Sequence, residues 1–339
     1  MAALSATLRA RALPRLAAQW PRSNSSAMAA AMPAMDEVED YPATPAYARA
    51  PPRVMEVRKL SAALGAEVVG VDLSAPMSSQ DERGLRALFR QHGVLVFRGQ
   101  RLGDDLEAHK RFARVLGDGA DLEVHPIVKP ISSEHPDVTR IVREAGASTR
   151  FGEVWHSDNS FQERPSMGSV LAAVEVPPYG NDTLFSSQVA AYDALSPALK
   201  AQLRQLRAVH SAGAAYSRTG HREASFDGKA AMKYKETDLL NAEVLHPVVR
   251  THVASGRLAL YVNSMFTSRF EGWTEEESAP LLKFLFDHAA KPEFTCRVTW
   301  SPGTVAAWDN RVTQHLAIGD NTEHRRVMHR VTVEGERPM

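Results

Sequence analysis

Apolar residues recur at helical spacing in the early part of the chain. Ser78 or Ser79 can cap a helix whose apolar positions, three and four residues apart, lie on one face. The run Val94–Phe97 is apolar without interruption and follows a glycine, which predicts a short buried strand. An amphipathic pattern over residues 104–116 predicts a second helix. The early part therefore combines two helices with one buried strand.

Short β-prone runs dominate the second half of the chain. Residues 169–174 and 258–262 predict strands that end at Pro-Pro and at Asn-Ser. Thr274, followed three residues later by Glu277, forms a capping box that predicts a helix through about His288. Three further β-prone runs close the chain: residues 294–300, 305–308 and 327–333. The pattern predicts a mostly β protein, a sandwich or barrel with flanking helices, rather than a parallel α/β sheet.

The first residues differ in composition from this core. Residues 1–35 contain four arginines but no acidic residue, which is typical of an organelle transit peptide and predicts a mitochondrial or plastid protein. The alternative is a disordered leader on a cytoplasmic protein, or a start at a later methionine. Residues 36–53 carry acidic residues and four prolines, which predict a linker. We expect the folded domain to span residues 54–339.

Charge and cysteine content narrow the function. The 40 basic residues equal the 40 acidic residues in number, so no general attraction to nucleic acid is expected. No apolar run approaches the roughly 18 to 20 residues that span a membrane, so no membrane partner is expected. Cys296 is the single cysteine, which excludes an internal disulfide and a cysteine-based metal cage. Any metal must be bound by His, Asp or Glu.

Two His-x-Asp triplets occur among the 13 histidines. Two histidines and one carboxylate on one face of a metal are a pattern of non-haem iron sites. The central proline of His135-Pro-Asp137 predicts a loop. His156-Ser-Asp158 lies between aromatic residues that could exclude water, but its spacing alone also fits a hydrogen-bonded surface pair. A third ligand would have to come from a distant part of the chain.

The richest place for that ligand is the C-terminal stretch around His315. Arg326 and Arg330 follow His315 by eleven and fifteen residues. An arginine fork binds a carboxylate through two hydrogen bonds, which suits an organic acid held beside a metal. A solvated basic strand remains the alternative interpretation of these arginines.

Three motifs together resemble the taurine dioxygenase family of iron(II)- and 2-oxoglutarate-dependent oxygenases, which also includes herbicide-degrading and alkylsulfatase members. The resemblance runs from about residue 54 to residue 333 and implies a double-stranded β-helix, or jelly-roll, core. The motifs are His156-x-Asp158, Trp308-Asp309-Asn310-Arg311-x-Thr313-Gln314-His315 and Arg325-Arg326-x-Met328-His329-Arg330.

The resemblance also implies roles for individual residues. His156, Asp158 and His315 would bind Fe(II). Arg326 would bind the distal carboxylate of the cosubstrate 2-oxoglutarate, and Thr183 would hydrogen-bond the same end. Dioxygen would be the second cosubstrate, with succinate and carbon dioxide as products beside the hydroxylated substrate.

A second set of residues is matched to the primary substrate: Arg330 to its anionic group, His125 to its head and Phe266 to a pocket wall. The implied substrate is a small sulfonate such as taurine, a sulfate ester or a carboxylate. Gly152 and Val128 stand where the taurine enzyme has an asparagine and a tyrosine, which removes polar contacts. We also expect a homo-oligomer, either a dimer or a tetramer. A metal-dependent hydrolase on the same ligands and a catalytically silent jelly-roll binding protein remain alternatives.

Overall fold

The computed structural model describes residues 55–147, 152–213 and 237–339. The transit peptide and linker predicted for residues 1–53 lie outside this described part. The described helices are α1 (Ser79–His92), α2 (Leu106–Leu116), α3 (Gln188–Asp193), α4 (Pro197–Leu203) and α5 (Glu275–Ala289), with two 3-10 helices at Asp238–Asn241 and Pro292–Phe294. None of the helices in these ranges has the length and apolar character needed to cross a membrane.

Fifteen strands are described, and they make the protein mostly β as the sequence predicts. The first eight are β1 (Glu56–Lys59), β2 (Ala66–Val69), β3 (Val94–Phe97), β4 (Val138–Arg143), β5 (Gly168–Glu175), β6 (Thr183–Ser187), β7 (Arg207–Ser211) and β8 (Glu243–Pro247). The others are β9 (Val249–Thr251), β10 (Leu258–Leu260), β11 (Thr267–Phe270), β12 (Thr295–Val298), β13 (Val305–Asp309), β14 (Thr313–Ala317) and β15 (Arg326–Val333).

The largest sheet has seven strands in the order β1-β2-β3-β13-β5-β15-β4. Within it the β2 and β3 pair is parallel, and the other pairs are antiparallel. A smaller antiparallel sheet has the order β12-β6-β14. Two further groups, β11-β7-β8 and β10-β9, complete the described sheets. Strands distant in sequence are therefore neighbours, and β13 and β15 lie inside the large sheet rather than at its edges.

Strand β3 shows why the large sheet is covered on both faces. Val94 and Val96 belong to one buried cluster, which includes Phe185 of the smaller sheet. Leu95 and Phe97 belong to another, which includes side chains of α1 and α2 such as Phe112. Because successive side chains of a strand point to opposite faces, an unbroken apolar run fits a strand buried on both sides. Each such side chain contributes roughly 1.5 to 3 kcal/mol through burial.

The predicted helix starts agree with the structure. Ser78 caps α1 by accepting a hydrogen bond from the backbone N–H of Asp81. Gly93 ends that helix with a positive φ of 68°, which glycine adopts without a steric penalty. Thr274 and Glu277 form the reciprocal capping box at the start of α5. These local signals depend on few residues, so they are readable from sequence.

The predicted division into early helices and late strands is wrong in one respect. Strands β1, β2 and β4 lie in the first half of the chain and belong to the large sheet. Strand β1 has the sequence EVRK and is largely exposed, so its apolar signal is weak. The strand predicted over residues 258–262 ends at Leu260, and the one predicted over residues 294–300 spans Thr295–Val298 after a 3-10 turn.

Helix α2 places His109 in the dry core between the helix and the large sheet. The ring Nε2–H donates to the carbonyl of Val170 at 2.9 Å, and Nδ1 is buried with no hydrogen-bond partner in the described part of the chain. Burial lowers the pKa of His109 to about 4. A proton added to Nδ1 would have no acceptor, so the folded state resists protonation.

We therefore expect stability to fall as the pH drops from about 6.5 toward 4. The unfolded chain takes up a proton at His109 near pH 6.5, whereas the folded chain does not, so this residue should lower the free energy of unfolding by about 2 kcal/mol between pH 7 and pH 5. The variant His109→Gln keeps a donor for Val170 and cannot titrate. Urea unfolding at both pH values should show a smaller pH dependence in the variant, and parallel behaviour of the two proteins would contradict the assignment.

Candidate metal centre and cosubstrate pocket

His156 and His315 are brought together by their own backbones. His156 N–H donates to the carbonyl of His315 at 3.0 Å, and His315 N–H donates back at 2.8 Å. His315 lies on β14, so this isolated bridge attaches the segment before Asp158 to the edge of the smaller sheet. The two ring centroids are 4.1 Å apart. Backbone pairing therefore sets the separation of the two imidazoles.

Asp158 completes a compact group of possible metal ligands. Its Oδ1 lies 3.9 Å from Nε2 of His156 and 3.9 Å from Nε2 of His315. One ligand atom from each of the three residues lies within 4.8 Å of the others, and all three residues are buried. His135 and Asp137 are located elsewhere, where both contact Lys110, at 3.0 and 2.8 Å. Residues 135–137 form part of the turn between α2 and β4, which agrees with the predicted loop.

The protonation states suit metal binding. Burial lowers the pKa of His156, and burial with the neighbouring His156 ring lowers the pKa of His315 to about 3. Both rings are therefore neutral at pH 7. Although burial opposes ionisation of Asp158, Arg330 and the two histidines hold its pKa well below the usual value. The site thus offers two neutral imidazoles and one carboxylate.

The orientation of His156 tests whether this donor set fits iron. His156 Nδ1 lies 2.7 Å from the carbonyl of Val154 and must carry the proton to donate to it. Nε2, the atom that faces Asp158, is then left with a free lone pair. Two imidazole nitrogens and one carboxylate oxygen on a shared face match the ligand set of non-haem Fe(II) oxygenases. The residues present therefore fit a ferrous ion.

The second carboxylate oxygen of Asp158 is held by neighbouring side chains. Its Oδ2 accepts hydrogen bonds from Ser169 Oγ at 2.8 Å and from Asn310 Nδ2 at 3.3 Å. Asn310 Oδ1 in turn accepts from the backbone N–H of Asp158 and from Trp308 Nε1. Sequence reasoning quoted Asn310 only as a motif member and missed Ser169. Together the two residues leave Oδ1 directed toward the histidines.

Arg330 contacts the metal-facing oxygen of Asp158. Its Nη1 donates to Asp158 Oδ1 at 3.1 Å, and its Nε is buried without a hydrogen-bond partner among the described residues. The resemblance assigns Arg330 to the anionic group of the substrate. In the structure Arg330 also hydrogen-bonds directly to Asp158, one of the candidate metal ligands. The guanidinium has further N–H groups that this bond does not use.

A pocket beside the three ligands is lined by Thr183, Arg326 and Arg330 as well as His156 and His315. Thr183 Oγ1 accepts from Trp300 Nε1 at 3.1 Å, so its own hydroxyl proton can be donated into the pocket. The guanidinium of Arg326 lies over the Trp300 ring, 5.7 Å from its centroid. Arg326 forms no salt bridge within the described part of the chain, and burial lowers its pKa to about 10. A half-buried cation that forms no salt bridge favours binding of an anion.

The two other predicted substrate residues lie in buried positions. His125 Nδ1 accepts from the backbone N–H groups of Ile127 at 3.2 Å and Val128 at 3.0 Å, so a neutral ring carries its proton on Nε2. Phe266 is edge-on to His156, with 6.4 Å between ring centroids. It belongs to a buried apolar cluster with Ile127 and Phe161. Phe266 therefore forms an apolar wall next to the ligand histidine.

Glu123 is a half-buried carboxylate that the sequence gave no reason to select. It accepts hydrogen bonds from Asn159 Nδ2 and Gln162 Nε2, both at 2.8 Å, and from Ser166 Oγ. Asn159 follows the ligand Asp158 directly and has a positive φ of 52°. Glu123 therefore fixes the turn that leaves the metal centre, and it stands two residues before His125. Burial raises the pKa of Glu123.

Comparison with known proteins gives concordant matches. The profile of the taurine catabolism dioxygenase TauD, TfdA family matches residues 56–332. An alpha-ketoglutarate-dependent sulfate ester dioxygenase of Pseudomonas putida is 33% identical over 287 residues, which cover 84% of this chain and 91% of that protein. An alpha-ketoglutarate-dependent 2,4-dichlorophenoxyacetate dioxygenase of Cupriavidus pinatubonensis is 33% identical over 279 residues, covering 79% and 93%. The crystal structure of a taurine dioxygenase from Burkholderia xenovorans has a TM-score of 0.68 at 32% identity, covering 84% and 91%.

The hydrogen bonds to Asp158 Oδ2 predict that Asn310 and Ser169 control metal affinity. We expect Asn310→Ala and Ser169→Ala each to weaken Mn(II) binding by about 10- to 100-fold, because the carboxylate loses its fixed orientation. Titration of Mn(II) followed by electron paramagnetic resonance measures this without turnover. Ser186→Ala is a matched control, since that buried hydroxyl donates to Ala289 away from the ligands. Equal Mn(II) affinity in all variants would contradict the assigned roles.

Proposed function

This chain belongs to the taurine catabolism dioxygenase TauD, TfdA family, and we propose that it hydroxylates a small organic anion with an apolar body, using Fe(II). It is a 2-oxoglutarate-dependent dioxygenase, taurine dioxygenase-like in sequence and fold. The observation that carries the proposal is the buried group of His156, Asp158 and His315 within 4.8 Å. The same pocket holds a cation, Arg326, that forms no salt bridge among the described residues.

The chemistry that iron supplies when bound is oxidation by dioxygen, in which one oxygen atom enters the organic substrate and the other enters succinate as 2-oxoglutarate loses carbon dioxide. The chain's own side chains hold and orient the reactants. Arg326 and Thr183 are positioned to bind the distal carboxylate of 2-oxoglutarate from one end of the pocket. Burial of the ligands excludes water, which strengthens each of these charged contacts.

The substrate's anionic group fits the other arginine of the pocket. Arg330 retains N–H groups beyond the one bonded to Asp158, and it lies at the metal centre. The resemblance matches His125 to the same end of the substrate. A buried arginine bonded to one carboxylate oxygen gains further stabilisation from a second anion. These contacts orient the substrate so that a carbon near its anionic group faces the metal.

The apolar cluster near the centre supports a substrate with a hydrophobic body. Ile127, Phe161, Met265 and Phe266 are buried together, and Val128 is also buried where the taurine enzyme has a tyrosine. The named relatives act on a sulfate ester and on 2,4-dichlorophenoxyacetate. We infer an alkyl sulfate ester as the best-fitting class. Hydroxylation of the carbon that bears the sulfate oxygen gives a product that collapses to an aldehyde and free sulfate.

We also propose the type of β fold, the oligomeric state and the cellular location of this protein. The two facing sheets form a jelly roll, because the smaller sheet covers the inner face of the large one. The protein acts as a homo-oligomer, either a dimer or a tetramer. The arginine-containing, acid-free residues 1–35 direct it to a mitochondrion or plastid, with the cytoplasm as the alternative.

Loss of Arg326 tests the cosubstrate assignment. We expect Arg326→Ala to raise the dissociation constant of 2-oxoglutarate by about two to three orders of magnitude, since breaking a buried charge pair costs roughly 3 to 5 kcal/mol. The metal-to-ligand charge-transfer band of the anaerobic Fe(II) protein gives the affinity. Arg325→Ala is the matched control, because the neighbouring guanidinium is directed to Glu144 and Glu175. An unchanged affinity refutes the clamp, and the absence of any band in the wild type favours a hydrolase or a silent binding protein.

Comparison of substrates tests the apolar pocket. We expect kcat/KM for hexyl sulfate to exceed that for taurine by at least about tenfold, because each buried methylene contributes about 0.8 kcal/mol. Succinate formation under saturating 2-oxoglutarate is the measurement. Phe266→Ala should reduce the rate with hexyl sulfate more than the rate with ethyl sulfate. Preference for taurine, or equal loss with both sulfates, would contradict the proposed class.

A further inference from the structure

Residues 262–264, in the connection between β10 and β11, are hydrogen-bonded to the stretch that carries Asp158. Asn263 is buried, and its Nδ2 donates to Ser160 Oγ at 3.0 Å. Ser160 follows Asp158 by two residues. The other end of the amide, Oδ1, accepts from the backbone N–H of Phe266 at 2.9 Å. Because a backbone N–H can only donate, the amide oxygen must face Phe266 and the amide nitrogen must face Ser160.

Both ends of the bond between Asn263 and Ser160 are held by further contacts. The backbone N–H of Asn263 donates to Thr267 Oγ1, and its carbonyl accepts from the Thr267 N–H, both at 3.0 Å. Ser160 Oγ also bonds to His210 Nδ1 at 3.0 Å. The amide of Asn263 therefore joins two segments that are each fixed in place.

The residues on either side of Asn263 make similar bonds near the two ligand histidines. Ser264 Oγ donates to the carbonyl of Trp155 at 3.2 Å, and Trp155 directly precedes the first ligand histidine. Gln314 Nε2 donates to the carbonyl of Val262 at 2.7 Å, and Gln314 directly precedes the second ligand histidine. Residues 262–264 are thus bonded, one residue each, to a neighbour of every candidate metal ligand.

The ligands come from two stretches that are far apart in the sequence, so their mutual placement depends on bonds between these stretches. An isolated backbone bridge pairs His156 with His315. Asp158 lies two residues beyond that bridge. Residues 262–264 bond on both sides of it, to the residue before the bridge and to the second residue after Asp158. Bonds on both sides limit rotation of this stretch about the bridge.

We propose that residues 262–264 are a positioning segment for the metal centre, in which Asn263 fixes the placement of Asp158 relative to the two histidines. The segment acts through the neighbours of the ligands rather than through the ligand side chains. The family resemblance assigns a role to Phe266 but none to these three residues. A preformed set of ligands loses less conformational freedom when a metal binds, so it binds more tightly. This inference rests on the proposed function, because it concerns the same metal site.

The variant Asn263→Ala removes the acceptor for Phe266 N–H and the donor to Ser160 together. We expect it to raise the dissociation constant of Mn(II) by about tenfold, the lower end of the loss for residues that orient a ligand directly. Electron paramagnetic resonance gives the affinity without turnover. The zero-field splitting of bound Mn(II) reports the arrangement of its ligands, and we expect it to change as well.

Asn321→Ala is the matched control, because Asn321 is another buried amide that holds a connection between strands. Its Nδ2 donates to the carbonyl of Tyr179 at 2.9 Å, and its Oδ1 accepts from the backbone N–H of Glu323 at 3.1 Å. We expect both variants to lower the free energy of unfolding, but only Asn263→Ala to change the affinity and the splitting. Equal weakening of Mn(II) binding by both variants, or weaker binding with an unchanged splitting, would show a loss of stability and overturn the inference.

If Asn263→Ala does not fold, Ser264→Ala carries the test, because this side chain is only half-buried. We expect it to weaken Mn(II) binding by about threefold, which corresponds to one hydrogen bond. Wild-type affinity in the folded variants would refute the positioning role. A wild type that binds no Mn(II) would refute the proposed function, whereas normal wild-type binding with unaffected variants refutes only the role of residues 262–264.

Discussion

The buried carboxylate of Asp158 is the constraint around which the centre is organised. A lone ionised carboxylate in a dry interior is strongly unfavourable unless charge and hydrogen bonds compensate it. Here Arg330 supplies the charge, and Ser169 and Asn310 supply hydrogen bonds to the other oxygen. These partners lie on β15, on β5 and directly after β13, which are adjacent strands of the large sheet. Burial of the carboxylate as an anion therefore depends on the assembled sheet.

The geometry of strand β15 sets the distance between two arginines that could each bind an anion. Arg326 and Arg330 are four residues apart on β15 and line the same pocket. At about 3.3 Å per residue their Cα atoms are about 13 Å apart, which leaves room for a metal and the reacting atoms between two anionic ends. Arg330 faces Asp158, and Arg326 faces Thr183 and Trp300. In the proposed function, each of the two organic acids would be bound by one of these arginines.

Sequence reasoning succeeded where a few neighbouring residues determine the structure. The capping box of Thr274 and the apolar run Val94–Phe97 are local, and both are present as predicted. His156-x-Asp158 differed from the His135 triplet only in its flanking aromatics and in lacking a central proline, and it remained ambiguous because ligand geometry depends on pairing with a distant strand. Family resemblance supplied His315. Strand β1 is short and polar, so packing of the complete sheet determines it rather than its own pattern.

The surroundings of Arg143 and Glu123 in the fold could not be predicted from the sequence. Arg143 lies in the sequence VTRIVR, where it is indistinguishable from the exposed Arg140 until the register with β15 is known. Glu123 lies in a loop, and its three donors come from a segment more than thirty residues later. Burial of either charge costs free energy that hydrogen bonds must offset. Three donors offset it at Glu123, whereas the cationic side chains that line the pocket also favour a bound anion.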